Sequence, residues 1–222
     1  ALDRMSPLRL PGGTDVAEMA LFDVDALGRA GPPDLEEIEE LQRQHRLIRL
    51  PTGSDGGYLL HIHINDSPPN HIRAFCDEAD KLTGQFMSRE GRISFGGLES
   101  AFLTFKSNSA IRTDGLIAPG SYAFTAYHTT IPDEVYETTT DVARSNAERW
   151  MLKAPVAVAF LSFSAACAFA YSGRFIFAAL VLVIGYSLFS AVRRRPDYKA
   201  LVAQREEAEL DLPSIVIELR SN

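Results

Sequence analysis

The spacing of apolar residues changes character twice along the chain. From Leu8 to Thr139 they alternate with polar residues in short runs or recur at helical spacing. From Ala154 to Val192 they run on with one charge among them, and after Arg193 a polar helical pattern gives way to the β-branched stretch SIVIEL. In the first part the clearest strand is GGYLLHIHIND, which follows an SDGG turn. Its alternation puts Leu60, Ile62 and Ile64 on one face and Leu59, His61 and His63 on the other. VAEMALFDVDAL, HRLIRLP and AFLTFKS predict shorter strands, and PGSYAFTAYHTTI a long one after a Pro-Gly turn. QFMSREGRISFGG predicts a hairpin turning at Glu90 and Gly91. SPPNHIRAFCDEADKLTG places Ile72, Phe75, Cys76, Ala79 and Leu82 at helical spacing, with proline near its start and Gly84 past its end. That predicts one amphipathic helix. The acidic run DLEEIEELQRQ reads as a solvated helix face.

The apolar stretch is two segments, APVAVAFLSFSAACAFAY and FIFAALVLVIGYSLFSAV, joined by Ser172, Gly173 and Arg174. Each half, as a helix of about 18 residues, is close to 27 Å long, which nearly matches a bilayer core. Neither half shows the polar stripe of a helix buried in a soluble domain. The pair therefore predicts a transmembrane hairpin, with Arg174 reaching into headgroups at the far face. Arg144, Arg149 and Lys153 precede it, and Arg193, Arg194, Arg195 and Lys199 follow, against Arg174 alone in the turn. Because Lys and Arg accumulate on the cytoplasmic side, both termini are expected in the cytoplasm. Ser162, Ser164, Ala165, Ala168, Gly185 and Ser187 would allow close packing, within the hairpin or against another membrane protein, including a second copy.

TTTDVARSNAERWMLKAP predicts a helical stalk capped at Thr140 or Asp141 and carrying Pro155 as an early interruption. RRRPDYKALVAQREEAEL predicts a second, with Pro196 in its first turn. The closing LPSIVIELRSN cannot satisfy its own backbone as an isolated strand, so it is expected to return and pair with the N-terminal sheet. The fold class is thus α+β: a strand-rich cytoplasmic domain over 1–139, a stalk over 140–153, the hairpin over 154–192, and a helix with a returning strand over 193–222.

Composition refines this picture by segment. The 222 residues carry a net charge of −7, 46% hydrophobic residues and a mean hydropathy of −0.04, an average over a polar part and an apolar one. ALDRMSPLRLPGG lacks the apolar core of a secretory signal, so the polar portion is expected to stay in the compartment where it is made. Cys76 and Cys167 fall in such different segments that a disulfide is not expected, which suits a reducing compartment. An acidic chain whose basic cluster abuts a span argues against nucleic-acid binding.

Candidate chemistry is sparse. His61 and His63 share a strand face, a spacing that can place two imidazoles on one metal, with His71 or His128 as a third ligand. No cysteine pair or acidic ligand set completes such a site, so the two are expected to be a solvent-facing or interface pair on the strand surface, without metal. Asp23 and Asp25 are the one candidate acid and base pair, but they follow a strand edge and read better as loop capping residues. GSDGG lacks the lysine of a phosphate loop and reads as a turn, and neither cysteine has a histidine partner in sequence. No catalytic residue, cofactor or metal is assigned, and the chain is expected not to be an enzyme.

TDVAEMALFDVDAL, DGGYLLHIHIND, REGRISFGG and PGSYAFTAYHT, in that order, resemble a strand-rich bacterial domain found among toxin-immunity and contact-competition proteins. The resemblance covers about residues 8 to 130, rests on hydrophobic and turn pattern, and carries no catalytic residue. What it implies is binding. The expectation is a bacterial inner-membrane immunity protein whose cytoplasmic domain binds and neutralises a toxin. The alternative is a membrane effector or sensor whose soluble domain binds a ligand or partner and rearranges the hairpin. A hydrolase at the membrane is disfavoured for want of a nucleophile.

Overall fold

A computed structural model of the chain describes residues 6–28 and 30–222. The first five residues, part of the stretch read above as lacking a secretory signal, lie outside the described residues. In chain order the elements are β1 (Leu8–Thr14), β2 (Glu18–Asp23), α1 (Leu35–Arg43), β3 (Leu47–Pro51), β4 (Gly56–Ile64) and a single helical turn α2 (Asn70–Arg73). Then come β5 (Leu82–Ser88), β6 (Arg92–Gly97), β7 (Arg112–Leu116) and β8 (Gly120–His128). Four helices follow, α3 (Asp133–Thr140), α4 (Asn146–Tyr171), α5 (Phe175–Arg194) and α6 (Pro196–Glu209), before β9 (Ile215–Ser221). The chain forms two compact units, one of residues 1–131 with 212–222 and one of residues 132–211.

The first unit is built on two sheets, ordered β1-β4-β9-β8-β5 and β3-β2-β6-β7. Their facing sides share one core. Leu10, Leu60, Ile62, Phe86, Ile215, Ile217 and Leu219 come from the larger sheet, and Met19, Leu21, Ile48, Leu50, Ile93 and Phe95 from the smaller. Interdigitation of two inner faces in this way makes a β-sandwich core. A second apolar cluster, Ala20, Phe22, Leu27, Ile38, Leu47, Leu98 and Ala101, fills the outer side of the smaller sheet beneath α1. That helix starts on a capping box, in which Glu37 N donates to the Asp34 side chain at 2.9 Å and Asp34 N donates to Glu37 at 3.2 Å.

The returning strand is present and central. β9 pairs parallel with β4, Ile217 opposite Ile62, and antiparallel with β8, Ile217 opposite Ala126. Ile215, Val216, Ile217 and Leu219 are all fully buried. Coverage on both faces matches the apolar run Ile215–Ile217, and Glu218 within the strand is held by Arg73.

Several local expectations fail for tertiary reasons. The helix expected over SPPNHIRAFCDEADKLTG is one turn. Beyond it Asp77 N donates to His128 O and Thr130 N to Phe75 O, so the chain is drawn along the end of β8, and Leu82 and Gly84 belong to β5. QFMSREGRISFGG does turn at Glu90 and Gly91, but it makes a corner and not a hairpin: β5 pairs with β8 in one sheet, and β6 with β2 and β7 in the other. AFLTFKS is loop. Phe102 packs edge-on against Phe105 with ring centroids 5.4 Å apart, and Arg112 Nη1 donates to the carbonyls of Ser100 and Phe102. The strands β1 and β7 and the helix α3 carry too few periodic residues to have been predicted.

In the second unit, α4 and α5 are both long and apolar enough to cross a membrane. α4 starts later than expected. Thr140 ends α3, and the N-cap is Ser145, which shares a capping box with Glu148, while Asp141 accepts from Arg149 at 2.8 Å. Pro155 lies inside α4, where it removes one backbone donor. Gly173, with φ of 75°, makes the turn, and Arg174 follows at the N-cap position of α5. Where the helices cross, a Cβ on Gly185 would collide with Ser162, so glycine sets how closely they approach.

Candidate binding site

Strand alternation does aim His61 and His63 to one side of β4, with ring centroids 6.5 Å apart. They are not a solvent-facing surface: their exposures are 3% and 4%. The segment after β4 folds back over this face of the larger sheet. Ile72 is buried, and the Arg73 guanidinium lies 4.4 Å from the Tyr127 ring centroid and donates to Glu218 at 2.7 Å. Arg220 donates to Ser67 at 2.7 Å and to Glu218 at 3.1 Å. Period-2 alternation distinguishes two faces but does not say whether the second is roofed. Burial holds the His63 imidazole below its ordinary pKa, although Asp66 and Glu218 pull it up, and His63 Nε2 has no hydrogen-bond partner. No cluster of three metal-ligating side chains exists among the described residues, and His71 is exposed and His128 half-buried. Burial pushes the Cys76 thiol up despite Arg73 nearby, which disfavours a thiolate nucleophile.

The two aspartates are separately engaged. Asp23 is fully buried and accepts from Arg46 Nε at 2.7 Å and from Ser88 Oγ at 3.3 Å, while its backbone N–H donates to Arg46 O at 2.9 Å. This ion pair ties β2 to the segment before β3 and to the β5–β6 corner. Asp25 accepts from Arg92 Nε at 2.8 Å. Asp23, expected to be a loop capping residue, makes no side-chain cap hydrogen bond and is held instead in a buried ion pair with Arg46. A second buried cation, Arg112, is 2% exposed and donates to Ser94 Oγ at 3.1 Å and Asp114 at 3.0 Å, beneath Phe22. Burial would raise the Asp114 carboxyl, but hydrogen bonds from Ser107 and Ser94 together with Arg112 hold it below its ordinary pKa.

What faces outward is acidic. The first unit contains thirteen Lys and Arg against nineteen Asp and Glu, so six of the seven net negative charges belong to it. Beside α1 lies a groove of about 460 Å³ whose apolar floor includes Ala26, Pro33, Leu41 and Ala101 and whose rim includes Glu36, Glu37 and Glu40. Glu37 is held by the capping box and Glu40 by Gln44 and Arg43. Glu36 is exposed, forms no ion pair among the described residues, and stands next to Leu35, which is 62% exposed. The acidic run was expected to be a solvated face. It is a helix whose Glu36, Glu37 and Glu39 are exposed as expected, while Ile38 and Leu41 seat it on the smaller sheet, so that Glu36, Glu37 and Glu40 also line the groove.

The first unit is therefore a two-sheet α+β sandwich with an acidic groove, followed by a helical unit carrying two apolar helices. No protein-family model matches the chain, and neither does any curated protein sequence. Among solved structures it is similar to one titled "Crocagin biosynthetic gene J", with a TM-score of 0.39 and 16% identity over 63% of this chain and 84% of that one. It is also similar to ComJ from Bacillus subtilis, titled an inhibitor of the DNA-degrading activity of NucA, with a TM-score of 0.38 and 14% identity over 59% of this chain and 90% of that one. Both likenesses are of chain outline at low identity.

Proposed function

We infer that the chain is a non-catalytic binding protein of the bacterial inner membrane, an immunity factor whose sandwich unit binds and neutralises a toxin with a basic surface. The observation that carries this reading is the acidic groove beside α1, where Glu36, without an ion pair among the described residues, rims an apolar floor of Ala26, Pro33, Leu41 and Ala101. Complementary charge speeds encounter and selects the partner, while apolar contact at the centre holds it. The pattern resemblance of residues 8 to 130 to immunity-type domains points the same way. The two apolar helices, flanked by Arg149, Lys153 and Arg193–Arg195, anchor the unit with both termini in the cytoplasm.

The test uses the full chain. A partner is captured from the native membrane and identified, and then expressed alone and with this chain in a sensitive host. Arrested growth on its own, restored by co-expression, is the expected result. Glu36→Lys, a change at an exposed position, should weaken partner binding about tenfold. A partner that is harmless alone, or protection untouched by Glu36→Lys, overturns the reading. Reporters at both termini that work only in the periplasm would overturn the orientation.

A further inference from the structure

The helical unit holds a cleft of about 970 Å³ between α3, α4 and α6, at the upper end of the range of about 300–1,000 Å³ for small-molecule sites. Its chemistry changes along α4. Arg149, Trp150 and Lys153 line one end, and Val156 and Phe160 the other. At about 1.5 Å per residue, Lys153 stands roughly 27 Å along the helix from Tyr171 at the hairpin turn. With the hairpin in a bilayer, the Lys153 ammonium therefore lies where the hydrocarbon core ends. Trp150, 71% exposed, stands at headgroup level, and Val156 and Phe160, 73% and 70% exposed, face hydrocarbon.

The cations of the cleft are not equally engaged. Arg149 pairs with Asp141 at 2.8 Å, and Arg205 on α6 pairs with Glu209 at 3.1 Å. Lys153 is exposed and makes no ion pair among the described residues. Counting Glu137 and Asp141, the lining holds three cations against two carboxylates. We propose that this cleft binds one anionic glycerophospholipid, its phosphate against Lys153 with Arg205 as the second cation, and an acyl chain laid over Val156 and Phe160. A zwitterionic lipid offers the same chains but carries its own cation, which the Lys153 end repels. Charge therefore selects the headgroup. The proposal rests on the membrane placement inferred above.

Trp150 is the only tryptophan in the chain and serves as the probe. The full chain is reconstituted in dioleoylphosphatidylcholine vesicles containing a minor fraction of acyl-brominated phosphatidylglycerol or, in parallel, acyl-brominated phosphatidylcholine. Brominated phosphatidylglycerol is expected to quench Trp150 at a lower mole fraction than brominated phosphatidylcholine. Lys153→Gln should reduce that preference about fivefold while leaving quenching by phosphatidylcholine unchanged. Arg194→Gln, outside the cleft lining, should leave the preference in place. Equal quenching by the two lipids, or equal losses in the two variants, would overturn the site. No quenching by either lipid would instead overturn the membrane placement on which it rests.

Discussion

Ile217→Ala tests the returning strand most directly, because Ile217 is fully buried and contributes to the core from the centre of the larger sheet, opposite both Ile62 and Ala126. The substitution removes three carbon groups, about 2.4 kcal/mol of lost transfer free energy at about 0.8 kcal/mol each. Neighbouring strands hydrogen-bonded on both sides limit how far the site can collapse, so the residual cavity adds about 1 kcal/mol or more. The expected cost is about 3–4 kcal/mol, a large share of a typical domain stability of about 5–15 kcal/mol. Leu116→Ala is the control. Leu116 lies in β7 and is 74% exposed, so its loss should cost less than about 0.5 kcal/mol. Both variants are made in the full detergent-solubilised chain, and unfolding in urea is followed by pulse proteolysis and by hydrogen exchange of the β4 and β8 amides. Ile217→Ala should lower the midpoint and the protection of both neighbouring strands. Equal midpoints for the two variants, or loss of protection confined to residues 212–222, would refute the placement of β9.

Two further outcomes follow from the buried polar groups. His63 titrates below its ordinary pKa in the fold, so above about pH 6.5 it is neutral in both states and its burial carries no protonation cost. As pH falls below that value the unfolded chain takes up the proton first and stability declines. The wild type should therefore lose more urea stability than His63→Gln between about pH 6.5 and 5, and identical pH slopes would count against burial of the imidazole. Asp23→Asn leaves Arg46 buried beside a neutral partner, so a loss of about 3–5 kcal/mol is expected by the same assay. A loss under about 1 kcal/mol would mean that water reaches the pair.

The sequence by itself determined the features whose physical cause is local. Eighteen-residue apolar runs need no context to form helices long enough for a bilayer, and the alternation of β4 and β8 needs only the strand period. The β-branched tail announced a strand because its backbone groups had to find partners. Tertiary structure decided which partners. The same alternation in QFMS and GRISFGG suits a hairpin or a corner, and only the competing edges of β8, β2 and β7 separated them. AFLTFKS has strand composition, but Arg112 takes the carbonyls of Ser100 and Phe102. The groove was hidden for a similar reason. DLEEIEELQRQ reads as a solvated face because sequence records charge and period, whereas a concave surface exists only once Ile38 and Leu41 dock on the smaller sheet beside Ala101. His61 and His63 make the same point in reverse. Their shared face follows from a period of two, but their burial depends on Ile72 and Arg73 folding back over it, and that is a long-range event with no signature in the strand itself.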